Sequence, residues 1–446
     1  MKFLHSSSVI ALILMTFFYF AMCPFIYFRH DDWLMLGNAV SILPKDWAFL
    51  WKPTWFTSPQ HEEVWFFRPF FKYIIWVGYE LFSFNSFLWT LTHWIFLVSG
   101  ILLGGKALDL LTQETKRSEL FKTIIVCSLS IHFASVVWVG EGMMNTPQVF
   151  LLMFSTYLFA QESAGASLLS VLVYFLALGF KESSVFLPLF LFAIAFSLNI
   201  FQKKKNLLLA HFGLMILFLI FRLGLLPFNP GYKPHFSTST LLRPIFYFVG
   251  FLSLPLLSLV LSHPKKGFIT HLFFRRLLFF LPFLGLLVAP HLGHSFFSPG
   301  WLLLPGFFSI WVLIFCLDTS EIKIISIQKW GLISLVLSAL PVFYQVHRIQ
   351  WLDWSGSQKK VHHYLRDLPD STTGIYIETC SDPGHPEVSF QRVVGAQENL
   401  EHMWNLHHPS LVPIRLIACG KRPEASQLPA GSVVARWKFP DFEENL

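Results

Sequence analysis

Two adjacent carboxylates, Asp31 and Asp32, follow the first long apolar run, in the string Arg29-His30-Asp31-Asp32-Trp33. A carboxylate there can take the proton of a hydroxyl if it is held within ~3 Å of it. Two sequence neighbours do not readily aim at one atom, so one would act while the other orients it or holds a cation. The plain alternative is a pair of acids that ends a membrane span. Lys181-Glu182 is a second pair, interrupting an apolar stretch from Leu176 to Phe192. Charges at membrane depth are costly and usually face a cavity or a partner, although a self-paired couple at a short turn would look the same. Arg68, Lys181 and Arg222 could converge on a phosphate, which arginine grips with two N–H groups; snorkelling to headgroups is the other account of Arg222. Glu141 falls in a tight turn between Val139 and Met143. Alone it reads as a solvated turn residue, and on the same side as the acidic pair it could support it. His291 and His294 flank a turn before Pro299-Gly300, with no carboxylate near them to complete a metal site. His61-Glu62-Glu63 reads as a solvated loop. A divalent cation at the acids is an option for which spacing supplies no ligand set.

These residues need elements to hold them, and the elements are written in apolar runs. A membrane helix takes ~20 apolar residues. The first candidate, Ser8–Tyr27, runs straight into Arg29 and lacks a small-x-small cleavage pattern, so it reads as a retained anchor rather than a signal peptide. Further candidates are Ser86–Asp109, Phe121–Val139, Met143–Ala160, Leu168–Phe180, Ser184–Ile200, Leu207–Leu226, Leu241–Leu261, Leu277–Ala289, Trp301–Leu317 and Gly331–Val346, about eleven spans in all. With the N-terminus inside, this count puts Lys116/Arg117/Lys122, Lys203–Lys205, Lys265/Lys266/Arg275/Arg276 and Lys323/Lys329 on the cytoplasmic side. The acids, Lys181-Glu182 and the chain end then face outward. The outer segment 29–85 carries Trp33, Trp47, Trp51, Trp55 and Trp65. It reads as an aromatic loop on the membrane surface that walls a pocket for a lipid-linked substrate.

Composition agrees. Of 446 residues 54% are hydrophobic and 13% charged, against about 25% charged in soluble domains, and the mean hydropathy is +0.56. A soluble enzyme, a disordered chain and a nucleic-acid-binding domain are excluded, and the partner implied is the lipid bilayer. The last 96 residues differ, with twelve of the 26 acids and no long apolar run. They read as a small α/β soluble domain (351–446) after a membrane body (1–350), with a helix over Lys360–Leu368 and strands at Gly374–Thr379, Ile414–Ala418 and Val433–Trp437. Cys380 and Cys419 each end a strand-like run, and a disulfide between them is possible if this domain lies outside the cytoplasm. Cys23, Cys127 and Cys316 read as packing residues. No P-loop, nucleophile elbow or internal repeat is present.

Taken in order, these elements resemble the polytopic glycosyltransferases of the GT-C fold, nearest to protein O-mannosyltransferase-type enzymes (glycosyltransferase family 39-like). The resemblance rests on Asp31-Asp32 after the first span, Phe67-Arg68-Pro69-Phe70 in the first outer loop, Leu176-Ala177-Leu178-Gly179-Phe180-Lys181-Glu182 followed by Pro188, and Arg222 late in a span. It covers roughly residues 8 to 350. It departs from the family at His294-Ser295-Phe296-Phe297-Ser298-Pro299, where relatives carry a strong cation, and in the tail, which has no tetratricopeptide-like period.

The resemblance implies an all-α polytopic GT-C fold and transfer of a sugar from a polyprenyl-phosphate donor to a hydroxyl acceptor on the outer face. Asp31 would be the base. Arg68, Lys181, Glu182, Arg222 and His294 would lie at the lipid phosphate, with Asp32 or Glu141 orienting the base or holding a cation. Direct attack by one activated hydroxyl implies inversion at the sugar carbon. A lipid-linked sugar transporter is the first rival, but acids at one membrane face rather than mid-membrane argue against it. A polysaccharide polymerase or ligase is the second, and its large outer loop would come late rather than first. Compact loops and no retention signal point to a bacterial inner membrane.

Overall fold

The structure is a computed structural model that describes residues 7–28, 31–51, 67–225, 271–288, 303–319, 322–348, 351–380, 390–394, 397–408, 410–438 and 441–443, with a few single positions between 237 and 257. The expected span over Leu241–Leu261 lies for the most part outside the described residues, and His291, His294 and His61-Glu62-Glu63 lie wholly outside them.

The described chain is mostly helical, and the small sheet is confined to its end. Helix α1 spans Ser7–Met22 and α4 spans Ser86–Thr112. Helices α5 (Thr115–Cys127) and α6 (Leu129–Val137) meet at a bend of 59°. Helices α7 (Val139–Ala160), α8 (Ala164–Leu178), α9 (Leu187–Ser197) and α10 (Phe201–Ile220) follow. After them come α11 (His271–Val288), α12 (Leu303–Cys316) and α13 (Ile324–Arg348). Local chemistry sets the ends. Asn85 caps α4 by accepting from the Phe87 and Leu88 N–H groups at 3.1 and 3.3 Å, and Ser163 caps α8 from the Ala166 N–H at 3.1 Å. Large apolar side chains such as Phe17, Leu223, Leu332 and Phe343 point outward over more than half of their surface. That is the surface of an integral membrane protein, where lipid replaces water.

Among the described residues, Ser86–Thr112 and Phe201–Gly224 are each long and apolar enough to cross a membrane alone, and the bent pair makes a third if it is one span. Five other apolar helices are shorter. The expected count of about eleven is therefore not reached within the described chain, because several spans are short, bent or interrupted.

The bend between α5 and α6 has a cause. Ser128 is not helical, its N–H turns to Ile125 O at 3.2 Å, and Ile124 O is left without it. The Ser128 hydroxyl donates to Ile124 O at 2.7 Å, and His132 Nε2 donates to Ile125 O and Val126 O at 3.1 and 3.2 Å. The Tyr19 hydroxyl on α1 holds the other ring nitrogen of His132. Freed backbone groups inside a bilayer must be satisfied by protein, and these three side chains do it.

The segment 29–85 is not a plain loop. It contains α2 (Asp31–Ile42), a short 3-10 turn at Trp47–Trp51 and α3 (Pro69–Phe82). Pro69 sits at the first turn of α3, where a missing N–H costs nothing. The C-terminal part is α/β. Helix α14 runs Trp351–Asp367, longer than the expected Lys360–Leu368. Strands β1 (Gly374–Cys380), β2 (Ile414–Ala418), β3 (Ser432–Lys438) and β4 (Asp441–Glu443) form a sheet in the order β2-β1-β3-β4. β1 pairs parallel with β2 and β3, and β4 returns antiparallel. Two short helices, α15 (Phe390–Val393) and α16 (Gln397–Asn405), lie between β1 and β2. Cys380 and Cys419 form a disulfide across the β1 and β2 ends, with Cα atoms 4.7 Å apart.

Candidate functional site

Most of the candidate residues meet at the N-terminal end of α7. Asp32, in the first turn of α2, is buried, and its Oδ1 accepts from the Gly140 N–H at 2.7 Å. That N–H is one of the donors a helix leaves unpaired at its start, where the helix dipole favours an anion. A Cβ at 140 would lie 2.5 Å from Asp32 Oδ1 and 2.7 Å from Met35 Sδ, so any larger residue must displace these side chains. Asp31 opens α2; its carboxylate lies outside the described side chains.

Glu141 corrects the sequence reading. It is no solvated turn residue. Helix α7 begins at Val139, with Trp138 as its N-cap, so Glu141 sits in the first helical turn and is buried. The turn expected between Val139 and Met143 is helix instead, because the kink before it falls at Ser128 and Trp138.

One face of α7 carries the other contacts, at the helical spacing 141, 144, 145 and 148. Arg68 Nη1 lies 3.1 Å from Met144 Sδ. The Lys181 ammonium donates to Asn145 Oδ1 at 2.8 Å, and Asn145 Nδ2 donates in turn to Ser135 Oγ at 3.3 Å. Gln148 Nε2 donates to the Ser183 and Ser184 hydroxyls at 2.9 and 2.8 Å. The turn after α8 is thus tied to α7 residue by residue.

Glu182 grips the entry to α3. Its Oε2 accepts from Arg68 Nε and Nη2 at 3.0 and 2.9 Å, and its Oε1 accepts from the Phe67 N–H at 3.3 Å. The expectation placed Glu182 among the phosphate-facing residues; the structure places it on Arg68, whose guanidinium it orients. Gly179 lets the two turns meet. Its carbonyl accepts from Phe70 N at 3.2 Å, and a Cβ at 179 would lie 2.1 Å from the Phe70 ring. Lys181 lies in this turn, between the helices. Burial, and next the Arg68 charge, push its ammonium down to about 8, while Glu141 and Glu182 pull the other way. Two cations and three carboxylates, Asp32 included, therefore share one end of the bundle.

Arg222 lies in a π-helical turn, Phe221–Leu225, that ends α10. The Phe221 ring packs edge-on against Phe67 with centroids 4.7 Å apart, which brings this turn to the Arg68 segment. His294 falls outside the described residues. Two of the basic clusters are at the opposite end: Lys203 pairs with Glu162 just past the far end of α7, and Arg117 pairs with Glu114 at 3.0 Å beyond α4; Lys265 and Lys266 lie outside the described residues. With 22 residues, α7 is about 33 Å long, the thickness of a bilayer core.

Sequence reasoning passed over Gly140, Met144, Asn145 and Gln148. The signal was present: polar residues at i, i+4 and i+7 from Glu141, in a run otherwise fit for lipid. It passed over Lys72 too, which is buried one turn past Arg68. Lys72 donates to Phe49 O at 2.9 Å and lies 4.2 Å from the Phe49 ring centre, tying the Trp47–Trp51 turn to α3. Among the described residues, the grouping with metal-ligand donors in reach of one another is Glu378, Cys380 and Cys419 in the tail, and its two cysteines are bonded to each other.

The whole arrangement is similar to a solved structure, the crystal structure of ArnT from Cupriavidus metallidurans bound to undecaprenyl phosphate. The match covers 96% of this chain and 92% of that one, with a TM-score of 0.53 and 9% sequence identity. This chain has the GT-C fold. No protein-family model and no curated protein matches the sequence. At such low identity the GT-C likeness is one of architecture, and the mannosyltransferase-type specificity implied by the sequence resemblance gains no support from it.

Proposed function

We propose that the chain is a membrane glycosyltransferase that moves a sugar from a polyprenyl-phosphate donor to a hydroxyl acceptor on the extracytoplasmic face. The observation that carries this reading is the assembly at the start of α7, where an anchored carboxylate, Asp32, shares one end of the bundle with Arg68 and Lys181. A base for a hydroxyl and cations for a leaving phosphate are the two demands of this reaction. The GT-C architecture, and the undecaprenyl phosphate in the similar structure, support the donor class.

In this reading Asp31 takes the acceptor's proton. The acceptor oxygen attacks the anomeric carbon, the bond from that carbon to the phosphate oxygen breaks, and the electron pair leaves on polyprenyl phosphate. Asp32, fixed on Gly140, holds the start of α2 so that Asp31 stays in place. Arg68, Lys181 and Arg222 offset the growing phosphate charge, and Glu182 keeps the Arg68 fork aligned. His294 and Glu141 are supporting candidates, the latter through its charge near Lys181. A divalent cation, if one is used, belongs at the acidic end. One displacement inverts the sugar carbon.

The Cys380–Cys419 disulfide supports an outward-facing C-terminal domain, since such bonds persist in oxidising compartments. That domain shares its side with Asp32, and in a bacterium this side is the periplasmic face of the inner membrane. The domain boundary we propose is 350/351, between α13 and α14.

The test is transfer in membrane vesicles with a panel of labelled polyprenyl-phosphate sugars, comparing wild type with Asp31→Asn and Asp32→Asn at matched expression. Transfer that collapses in the Asp31 variant, with an inverted product, is expected. Transfer by both variants at the wild-type rate, or labelled lipid crossing the bilayer without transfer to any acceptor, would leave a transporter in its place.

A further inference from the structure

Past the first span, residues 26–28 and 32–37 are held from α7 on one side and from the C-terminal domain on the other. Trp33, next to Asp32 and wholly buried, donates its indole N–H to Gln358 Oε1 on α14 at 2.9 Å. Gln358 is wholly buried too, and its amide donates to the Val393 carbonyl, so its orientation is fixed. One turn along α14, His362 Nδ1 accepts from the Tyr27 hydroxyl at 2.6 Å, and its Nε2 donates to His407 Nε2 at 2.8 Å. The His362 ring packs on Trp33 and Phe84 with centroids 4.6 and 4.5 Å away. Further along α2, Gly37 meets α16: a Cβ there would lie 2.4 Å from His402 Nδ1 and 2.9 Å from His402 Cβ. Burial first, and then neighbouring positive charge, push His362 down to about 3 and His407 down to about 4, so the chain of bonds is uncharged at neutral pH.

Three contact points from 325 to 365 residues away thus bracket a helix whose first two residues are Asp31 and Asp32. A lone docking domain would need only apolar packing. Buried, directional bonds to Tyr27 and Trp33 instead fix how α2 is rotated and how far it extends. We propose that the C-terminal domain is a positioning element of the transfer site, with Gln358, His362 and His402 setting the placement of the acidic pair. This rests on the function proposed above for Asp31 and Asp32. The three residues touch no substrate and act through Tyr27, Trp33 and Gly37.

The experiment uses the full chain in detergent or nanodiscs, as wild type, Gln358→Met and Tyr27→Phe. Gln358→Met keeps volume and removes the indole's acceptor; Tyr27→Phe removes a single hydroxyl and keeps the ring. Backbone hydrogen exchange is followed over Asp31–Ile42, with Ser86–Thr112 as an internal reference, and transfer is measured with the best donor. Both variants are expected to speed exchange over Asp31–Ile42 and leave the reference unchanged. They are expected to lower kcat on the order of tenfold, with KM for the donor lipid within about twofold, as for a base moved by a fraction of an ångström. Exchange at the wild-type rate in both variants would overturn the clamp. Faster exchange with unchanged kcat would overturn its role in placing the acids. If wild type transfers no sugar from any donor, the functional reading fails and takes the role in transfer with it, and the exchange result still decides the clamp.

Discussion

Replacing Gly140 by alanine tests the link between backbone geometry and the acidic pair. The added methyl would stand 2.5 Å from Asp32 Oδ1 and 2.7 Å from Met35 Sδ. Ordinary carbon–oxygen contact begins near 3.4 Å, so the carboxylate must retreat by about 0.9 Å. Its bond from the Gly140 N–H, now 2.7 Å, then stretches to between about 3.3 and 3.6 Å, at or beyond the edge of hydrogen-bond range. Two costs arise together: overpacking, typically 1–3 kcal/mol, and loss of a charge-assisted bond, about 1.5–3 kcal/mol. They overlap, because relief of the clash is what breaks the bond, and a net loss of about 2–3 kcal/mol is expected. The effect on transfer should be larger. A misplacement of about 1 Å at a reacting group can cost on the order of a hundredfold. Transfer by Gly140→Ala should therefore fall about a hundredfold in kcat while the thermal midpoint in detergent drops by only a few degrees. Single-turnover transfer and a thermal melt on the same preparation read both quantities. A Gly140→Ala enzyme with wild-type kcat would refute the reasoning, since Asp32 would then tolerate the displacement that its anchor exists to prevent.

Arg68→Ala leaves Glu182 partly buried without its cation, and a loss of about 3–5 kcal/mol is expected in thermal or denaturant unfolding. Arg68→Ala with Glu182→Gln should restore much of the stability and none of the transfer. The lowered Lys181 value gives a pH dependence of stated sign. Its folded-state value lies below the unfolded one, so the protein gains stability as pH rises from about 8 toward 10.5, while a step that needs the ammonium is lost over the lower part of that range. Donor KM should rise above pH 8, and Lys181→Arg should remove that limb from the profile. Reducing the Cys380–Cys419 bond frees a 39-residue separation, worth about 4 kcal/mol by chain entropy, so Cys419→Ser should lower the unfolding midpoint of the C-terminal domain and leave the bundle's unchanged.

How much of this was legible in the sequence depended on the range of the interaction. The acidic pair, Arg68 and Lys181-Glu182 announced themselves because a charge in an apolar chain is conspicuous by itself. Strand β2 was placed residue for residue and β1 and β3 to within one residue at each end, since apolar β-branched runs bounded by Gly and Pro are local signals. Helices α2 and α3 were hidden in what reads as a loop, although acids opening α2 and Pro69 opening α3 are start signals. Glu141 was misplaced because the break at Ser128 is stabilised by Tyr19 and His132, and no local pattern writes that partnership. The pairing of Glu182 with Arg68 spans 114 residues, and that of Trp33 with Gln358 spans 325, so neither has a local trace.

The last of these pairings bears on how the protein is made. Tyr27 and Trp33 leave the ribosome 335 and 325 residues ahead of their partners His362 and Gln358. The first span and its acidic pair therefore enter the membrane long before the domain that completes their surroundings exists. A nascent or truncated chain carries the acids without their setting, and in the orientation proposed above the disulfide between the β1 and β2 ends forms only after both strands have crossed the membrane. In the reading proposed above, folding of this later domain completes the site, and a chain still lacking it would not hold the acidic pair in place.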